Sequence, residues 1–183
     1  MTTVTGRWAG SGVAPGTAVA ASWRADRPVP PSTGPIDSDR IALAFRAVAA
    51  DLDQVANRTR AQGRDAAADI VAVGALIATD PDLVDAARCA AATDDPLGAI
   101  HDAVESYART LESLPDETLR ERAADVRQVG RRVLERLAPA GTGVSGRPSG
   151  RPFVLVAGEL GPADLLEHIG DGLVAAVAVR GGA

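Results

Sequence analysis

The sequence predicts an α+β architecture: a helical bundle subdomain inserted into an α/β domain of which it carries part. Three observations point there. Apolar residues recur at three- and four-residue spacing from Ser38 to Leu137, the period of amphipathic helices. Short apolar runs of strand length lie on either side of that block. Two stretches of linker composition separate the parts: residues 26–37, with Pro28, Pro30, Pro31 and Pro35, and residues 138–152, rich in Pro, Gly, Ser and Thr. The domain organisation read from this is 1–25 for an N-terminal strand of the α/β domain, 38–137 for the helical subdomain and 152–183 for the remainder of the α/β domain.

Each element has its own signal. Gly12-Val13-Ala14-Pro15-Gly16 carries a Pro-Gly turn, and Thr17–Trp23 then reads as a strand. Ser38 is placed to cap a first helix whose apolar residues Ile41, Phe45, Val48, Leu52 and Val55 share one face; Gly63 is its stop. A second helix runs over Asp65–Ala78. Ile70, Val71, Val73, Leu76 and Ile77 make it apolar on most sides, which predicts burial on more than one face. Asp80-Pro81 and Asp95-Pro96 are paired start signals, because Asp accepts N-terminal amides and Pro fits the first helical position. The helix after Pro96 carries Leu97, Ile100, Val104, Tyr107, Leu111 and Leu114 and is expected to stop or kink at Pro115. A last helix, Glu117–Leu137, presents Leu119, Ala123, Val126, Val133 and Leu137. Phe153–Ala157 and Leu173–Val179 read as buried strands, with a short helix over Pro162–Ile169 between them.

Composition narrows the function. The net charge is -5, and the arginines are interleaved with carboxylates, which argues against a nucleic-acid footprint. No apolar run is long enough to span a bilayer, and Met1-Thr-Thr lacks the start of a signal peptide; the expected compartment is the cytoplasm and no membrane partner is expected. Cys89 is alone, so it forms no intramolecular disulfide and is expected as a small buried residue. No His, Cys, Asp and Glu cluster has metal-ligand spacing, and the glycines near the C-terminus lack the Lys-Ser/Thr of a phosphate loop. No cofactor is expected in this chain.

One long motif then points to a family. Glu121–Leu134 (ERAADVRQVGRRVL) resembles a helix of the enzyme I family of phosphoenolpyruvate-dependent protein phosphotransferases, the sugar phosphotransferase system. Three further pieces resemble that family in the same order. They are the Gly12–Gly16 turn, the Leu76–Leu83 segment (LIATDPDL) and the Val154–Asp164 strand and turn (VLVAGELGPAD). The resemblance spans almost the whole chain. It implies an α/β phosphohistidine (swivelling) domain interrupted by a helical subdomain that docks a histidine-containing phosphocarrier protein. It also implies a histidine that takes a phosphoryl group from phosphoenolpyruvate, with Mg2+ and a separate C-terminal barrel domain, and passes it on. On the family pattern the partner-facing residues are Leu76, Ile77, Asp80, Asp82, Leu83 and Arg122. Where the family has an acid and a histidine in the second helix, this chain has Ala72 and Gly74. The family's Ser-His does not follow Gly181-Gly182 here, so the chain is expected to be inactive by itself. The alternative is a non-catalytic interaction or regulatory domain diverged from the family.

Plainer roles stand beside these. Asp80 and Asp95 are helix caps, Asp82 and Asp85 first-turn acids, and Arg122 a weak surface pair with Asp125. Arg127 and Arg131 read as solvated neighbours. Leu76, Ile77 and Leu83 are core residues on general grounds. His101 reads as a partly exposed helix residue and His168 as the end of a short helix. If Leu173–Val179 forms a sheet edge, the chain is expected to form a homodimer through it or to fray there.

Overall fold

The computed structural model describes residues 20–24, 34–139, 152–157, 162–168 and 172–178. The elements in order are β1 (Ala21–Arg24), α1 (Ser38–Ala61), α2 (Asp65–Ala78), α3 (Pro81–Ala90), α4 (Pro96–Glu112), α5 (Glu117–Leu137), β2 (Phe153–Ala157), α6 (Pro162–His168) and β3 (Leu173–Ala178). The five long helices thus enter the chain between the first and second strands. The sheet has the order β1-β2-β3 and both pairings are parallel. Ala21 lies beside Phe153, and Leu155 beside Ala176. A parallel pair needs a crossover; α6 supplies it between β2 and β3, and the helical block stands between β1 and β2. The Gly12–Gly16 turn and residues 17–19 of the expected first strand lie outside the described residues.

Every long helix except α2 starts on an aspartate, because Asp side chains satisfy amides that the first turn leaves without partners. Asp37 accepts from Asp39 N, Asp80 from Asp82 N and Leu83 N, Asp95 from Gly98 N, and Asp116 from Thr118 N and Leu119 N. The cap of α1 is therefore Asp37 rather than Ser38. Gly98 is required by this chemistry: a Cβ there would lie 2.4 Å from the Asp95 Oδ2 oxygen. Gly63, at φ +74°, makes the left-handed turn between α1 and α2. The end of α4 differs from expectation. It stops at Glu112, capped by Ser113, whose hydroxyl donates to the Thr110 carbonyl; Leu114 and Pro115 lie in the following turn.

The core follows the helical stripes. Ile41, Phe45, Val48, Leu52 and Val55 of α1 belong to one buried cluster with Val71 and Ala75 of α2, Leu83 of α3, Leu97, Ile100 and Val104 of α4, and Val126, Val129 and Val133 of α5. Aromatic residues make up 3% of the chain, so close approach does much of the filling. At Gly130 of α5 an added Cβ would sit 2.4 Å from a Val104 methyl.

Four expectations are corrected. Helix α2 is buried on one face only: Ala68, Val71, Gly74, Ala75 and Ala78 are inside, while Ile70 and Leu76 are 50% and 71% exposed. Leu119 is exposed near the start of α5, before the helix reaches its packing partners. Cys89 is exposed. Strand β3 is not buried throughout: Ala176 is exposed and Leu173 half-buried, as befits a strand paired on one side among the described residues.

Candidate functional site

The partner-facing residues expected from the sequence gather at the corner where α2 passes into α3, with Arg122 on α5 apart. Leu76 and Ile77 close the last turn of α2. Thr79 ends the helix: its hydroxyl donates to the Leu76 carbonyl at 2.9 Å. The chain then turns at once into the Asp80 cap, with Pro81 at the first helical position. Leu76 projects into solvent and Ile77 is half-buried against the core. Leu83 is different. Its exposure is 0%, so it offers no surface to a partner and instead anchors α3 to the bundle.

The acids divide in the same way. Asp80 Oδ1 accepts the Asp82 and Leu83 amides at 2.9 and 3.3 Å, and Asp80 Oδ2 accepts the Tyr107 hydroxyl at 3.3 Å. Both oxygens are committed within the fold. The Tyr107 phenol is held above its ordinary value, by burial first and then by the Asp80 charge and hydrogen bond, with Asp82 adding a little. Tyr107, on α4, therefore ties that helix to the corner, and sequence reasoning placed it only on an apolar stripe. Asp82 is exposed and has no ion pair among the described residues. Asp85 pairs with Arg88 at 3.3 Å. Arg122 pairs with Asp125 at 3.0 Å, as its spacing predicts.

Gly74 also has a structural reason. A Cβ there would lie 3.2 Å from Leu52 Cδ1, so a larger side chain at this position would press on α1. Ala72 is half-buried against the core.

A second cluster lies at the other side of α5. Arg131 donates to Asp164 Oδ2 at 2.6 Å, and Arg132 donates to Asp164 Oδ1 at 3.0 Å and to Glu167 at 2.8 Å. Asp164 is itself buried. Burial works against the Arg132 charge, but the two carboxylates more than offset it and its pKa lies above the ordinary value. Arg127, expected as a solvated neighbour of Arg131, instead bridges Glu105 at 3.1 Å and Glu112 at 2.7 Å on α4. These pairs join residues 15 to 35 positions apart, a range at which spacing carries no signal.

The two histidines lie on different helices, α4 and α6. His101 is exposed on α4. His168 is buried at the end of α6, its ring edge-on to Phe153 with centroids 5.9 Å apart. Among the described residues no group of three or more His, Cys, Asp and Glu is placed to hold a metal ion. No described helix is long and apolar enough to cross a membrane.

Known proteins share this organisation. A multiphosphoryl transfer protein of Xanthomonas campestris pv. campestris is 42% identical over 84 residues, which are 45% of this chain and 10% of that protein. A protein of Escherichia coli K12 described as phosphoenolpyruvate-dependent phosphotransferase system is 40% identical over 85 residues, 46% of this chain and 11% of its own length. The matched stretches are thus about a tenth of those relatives. Among solved structures, the N-terminal domain of Enzyme 1 - Nitrogen superposes with a TM-score of 0.62 at 26% identity, covering 93% of this chain and 72% of that one. The NMR solution structure of Enzyme I (nEIt), at 22% identity and a TM-score of 0.52, shares the fold over 80% of this chain and 63% of its own. Residues 5–122 match the family described as PEP-utilising enzyme, N-terminal, and with well over half of the sequence inside that match the chain belongs to this family.

Proposed function

We propose that this chain is the docking part of a phosphoenolpyruvate-dependent phosphoryl relay, and that its α2–α3 corner receives a histidine-containing phosphocarrier protein. The observation that carries the reading is Leu76. A leucine 71% exposed, beside the half-buried Ile77 at a helix corner capped on both sides, presents apolar surface that a partner could bury. Ile77 extends the apolar contact and Asp82 supplies a free negative charge for steering a basic partner. Asp80 and Leu83 act behind them, by setting the angle of α3.

In this reading the phosphoryl-accepting histidine is neither His101 nor His168. Among the described residues His101 has no companion group that would orient it as a nucleophile, and His168 is enclosed against Phe153. Residues 38–137 supply docking, and phosphoenolpyruvate and Mg2+ would be bound by a barrel domain of the kind the family resemblance implies. Its place is the cytoplasm, where sugar uptake would draw on the phosphoryl group.

A second reading, a non-catalytic interaction domain that kept the fold, draws support from Gly74 and Ala72. The acid and histidine of the family pattern are replaced, and Gly74 is packed against Leu52. Titration calorimetry of the chain with the histidine phosphocarrier of its own organism separates the two. Saturable one-to-one binding that Leu76→Ser weakens about tenfold, the size expected for losing most of a leucine contact, supports docking. A flat titration removes the phosphocarrier reading and leaves the second.

A further inference from the structure

Helix α5 closes on a carboxylate that has no ion pair among the described residues. Glu135 lies in the last turn of α5, where the carbonyl end of the helix disfavours a negative charge. It stands four residues after Arg131 and three after Arg132, spacings that bring side chains together on one helix face. Both arginines are already taken by α6: Arg131 by Asp164, and Arg132 by Asp164 and Glu167. The neighbouring Arg136 turns to Asp51 of α1, Arg127 turns to Glu105 and Glu112 of α4, and on α2 Asp69 is held by Arg60.

Among the described residues, the charged groups acting on Glu135 are those of the seam: Arg131 and Arg132 on its own helix, Asp164 and Glu167 on α6. With Glu135 counted, three carboxylates face two guanidinium groups. When all are ionised, the seam holds one negative charge more than it can pair. Glu135 is exposed as a residue, yet its carboxyl is held above the ordinary 4.5. Loss of hydration against the seam is the largest cause; the two arginines oppose it, and Asp164 and Glu167 add to it.

We infer that Glu135 is a proton-operated switch on the attachment of α6: ionised, it competes with Asp164 and Glu167 for Arg131 and Arg132 and loosens the seam; protonated, it leaves both arginines to α6. The switch is independent of docking at the α2–α3 corner. Its sign is the reverse of a plain salt bridge, which weakens as its acids take up protons. A carboxyl raised in the folded state contributes stability that is present below its ordinary value and is lost as the pH climbs through the raised one. The β2–α6–β3 unit is thus held more loosely at neutral pH than in mild acid. His168, which follows Glu167, is buried edge-on to Phe153; a charge placed on it would be costly there, so its protonation acts in the opposite sense.

The test is amide exchange on the full chain, read as protection relative to an unstructured chain while the pH is lowered from about 7.5 to about 5. Protection in α6 and β2 should rise about threefold or more, with α1 and α4 changing less. Glu135→Gln keeps the shape and removes the charge, so protection should stand at the higher level throughout and not rise. Glu121→Gln, an exposed acid near the start of α5, should behave as the unaltered chain does. Protection that falls or stays level as the pH drops overturns the switch, a fall assigning the response to Asp164 or His168. A rise that persists in Glu135→Gln overturns it too. A carbon-13 titration of the Glu135 carboxyl gives a reading that does not depend on α6 moving. Glu167→Gln should lower that titration, because Arg132 is then freed for Glu135. A titration unmoved by Glu167→Gln overturns the competition for the arginines.

Discussion

Helix α5 meets its neighbours by two opposite means. Toward α4 it removes side chain: Gly130 lets the backbone approach until Val104 occupies the space a Cβ would need. Toward α6 it adds charge: Arg131 and Arg132 grip Asp164 and Glu167, while Ala163 and Leu166 of α6 reach the core of the helical block. The first contact is specified by volume, and any mismatch is felt as strain or void. The second is specified by charge pairing, and its members are costly only when left without each other. The helical block is a single packed unit, and among the described residues α6 joins it through a partly ionic seam.

The sharpest way to break that comparison is inside the block. Phe45 is 1% exposed and among the largest fully buried side chains. Phe45→Ala should cost about 3–5 kcal/mol, read by urea denaturation, and should take α1 through α5 down in one transition. A block that loses α1 while α4 and α5 hold their amide protection would show that it is not one unit.

The seam comes next. Asp164→Ala leaves two arginines facing a buried gap. For a fully buried pair such a loss is about 3–5 kcal/mol, and here it should fall toward the lower end, because Arg131 keeps part of its solvent contact. The loss should be local. Hydrogen exchange should speed up in β2 and α6 and stay slow in α1, α4 and α5. The comparison sharpens if Arg131→Met, Arg132→Met and Asp164→Leu are combined. An apolar replacement of the seam should be neutral or stabilising by about 1–4 kcal/mol, and a triple variant that unseats the sheet would show that the charges set the geometry of the attachment and do not merely complete it.

Gly130 gives a smaller effect with two opposing parts. Gly130→Ala overpacks against Val104 at a cost of about 1–3 kcal/mol and recovers up to ~1 kcal/mol of helix propensity. Val104→Ala makes room. A thermal melt in which the double variant is no better than the sum of the singles would show that the close approach at this point is not what limits packing.

The same contrast explains what the sequence made legible. Helices α1 to α5, the caps at Asp80 and Asp95 and the β2–α6–β3 unit rest on local patterns, spacing and capping chemistry, and these could be read; Asp37 and Asp116 cap by the same chemistry, but Ser38 was the residue expected to cap α1. Burial on the second face of α2 was expected because Ile70, Val73 and Leu76 are apolar, and periodicity cannot tell a side chain awaiting a neighbour within the chain from one turned to solvent. Leu83 and Leu76, seven residues apart, looked alike as partner contacts; which of them is inside depends on how α3 folds back on the bundle. The Arg131–Asp164 pairing and the Tyr107–Asp80 bond join residues 33 and 27 positions apart, and no local rule links them.

The finest probe concerns Tyr107, which ties α4 to the corner of α2 and α3 with a single hydrogen bond. It is the chain's one tyrosine, so tyrosinate absorbance reports it alone. The phenol should ionise above the ordinary 10.0. Because the folded value is raised, the stability held below the ordinary value is lost as the pH climbs through the raised one. Burial is the largest cause, so Asp80→Asn should lower the titration without restoring it fully, and Asp82→Asn should lower it less. The order of the two variants matters. Asp80 touches the hydroxyl and Asp82 acts only through space. A titration unmoved by Asp80→Asn would mean that α4 does not hold the corner, and that α3 is fixed by the Leu83 anchor and its cap alone.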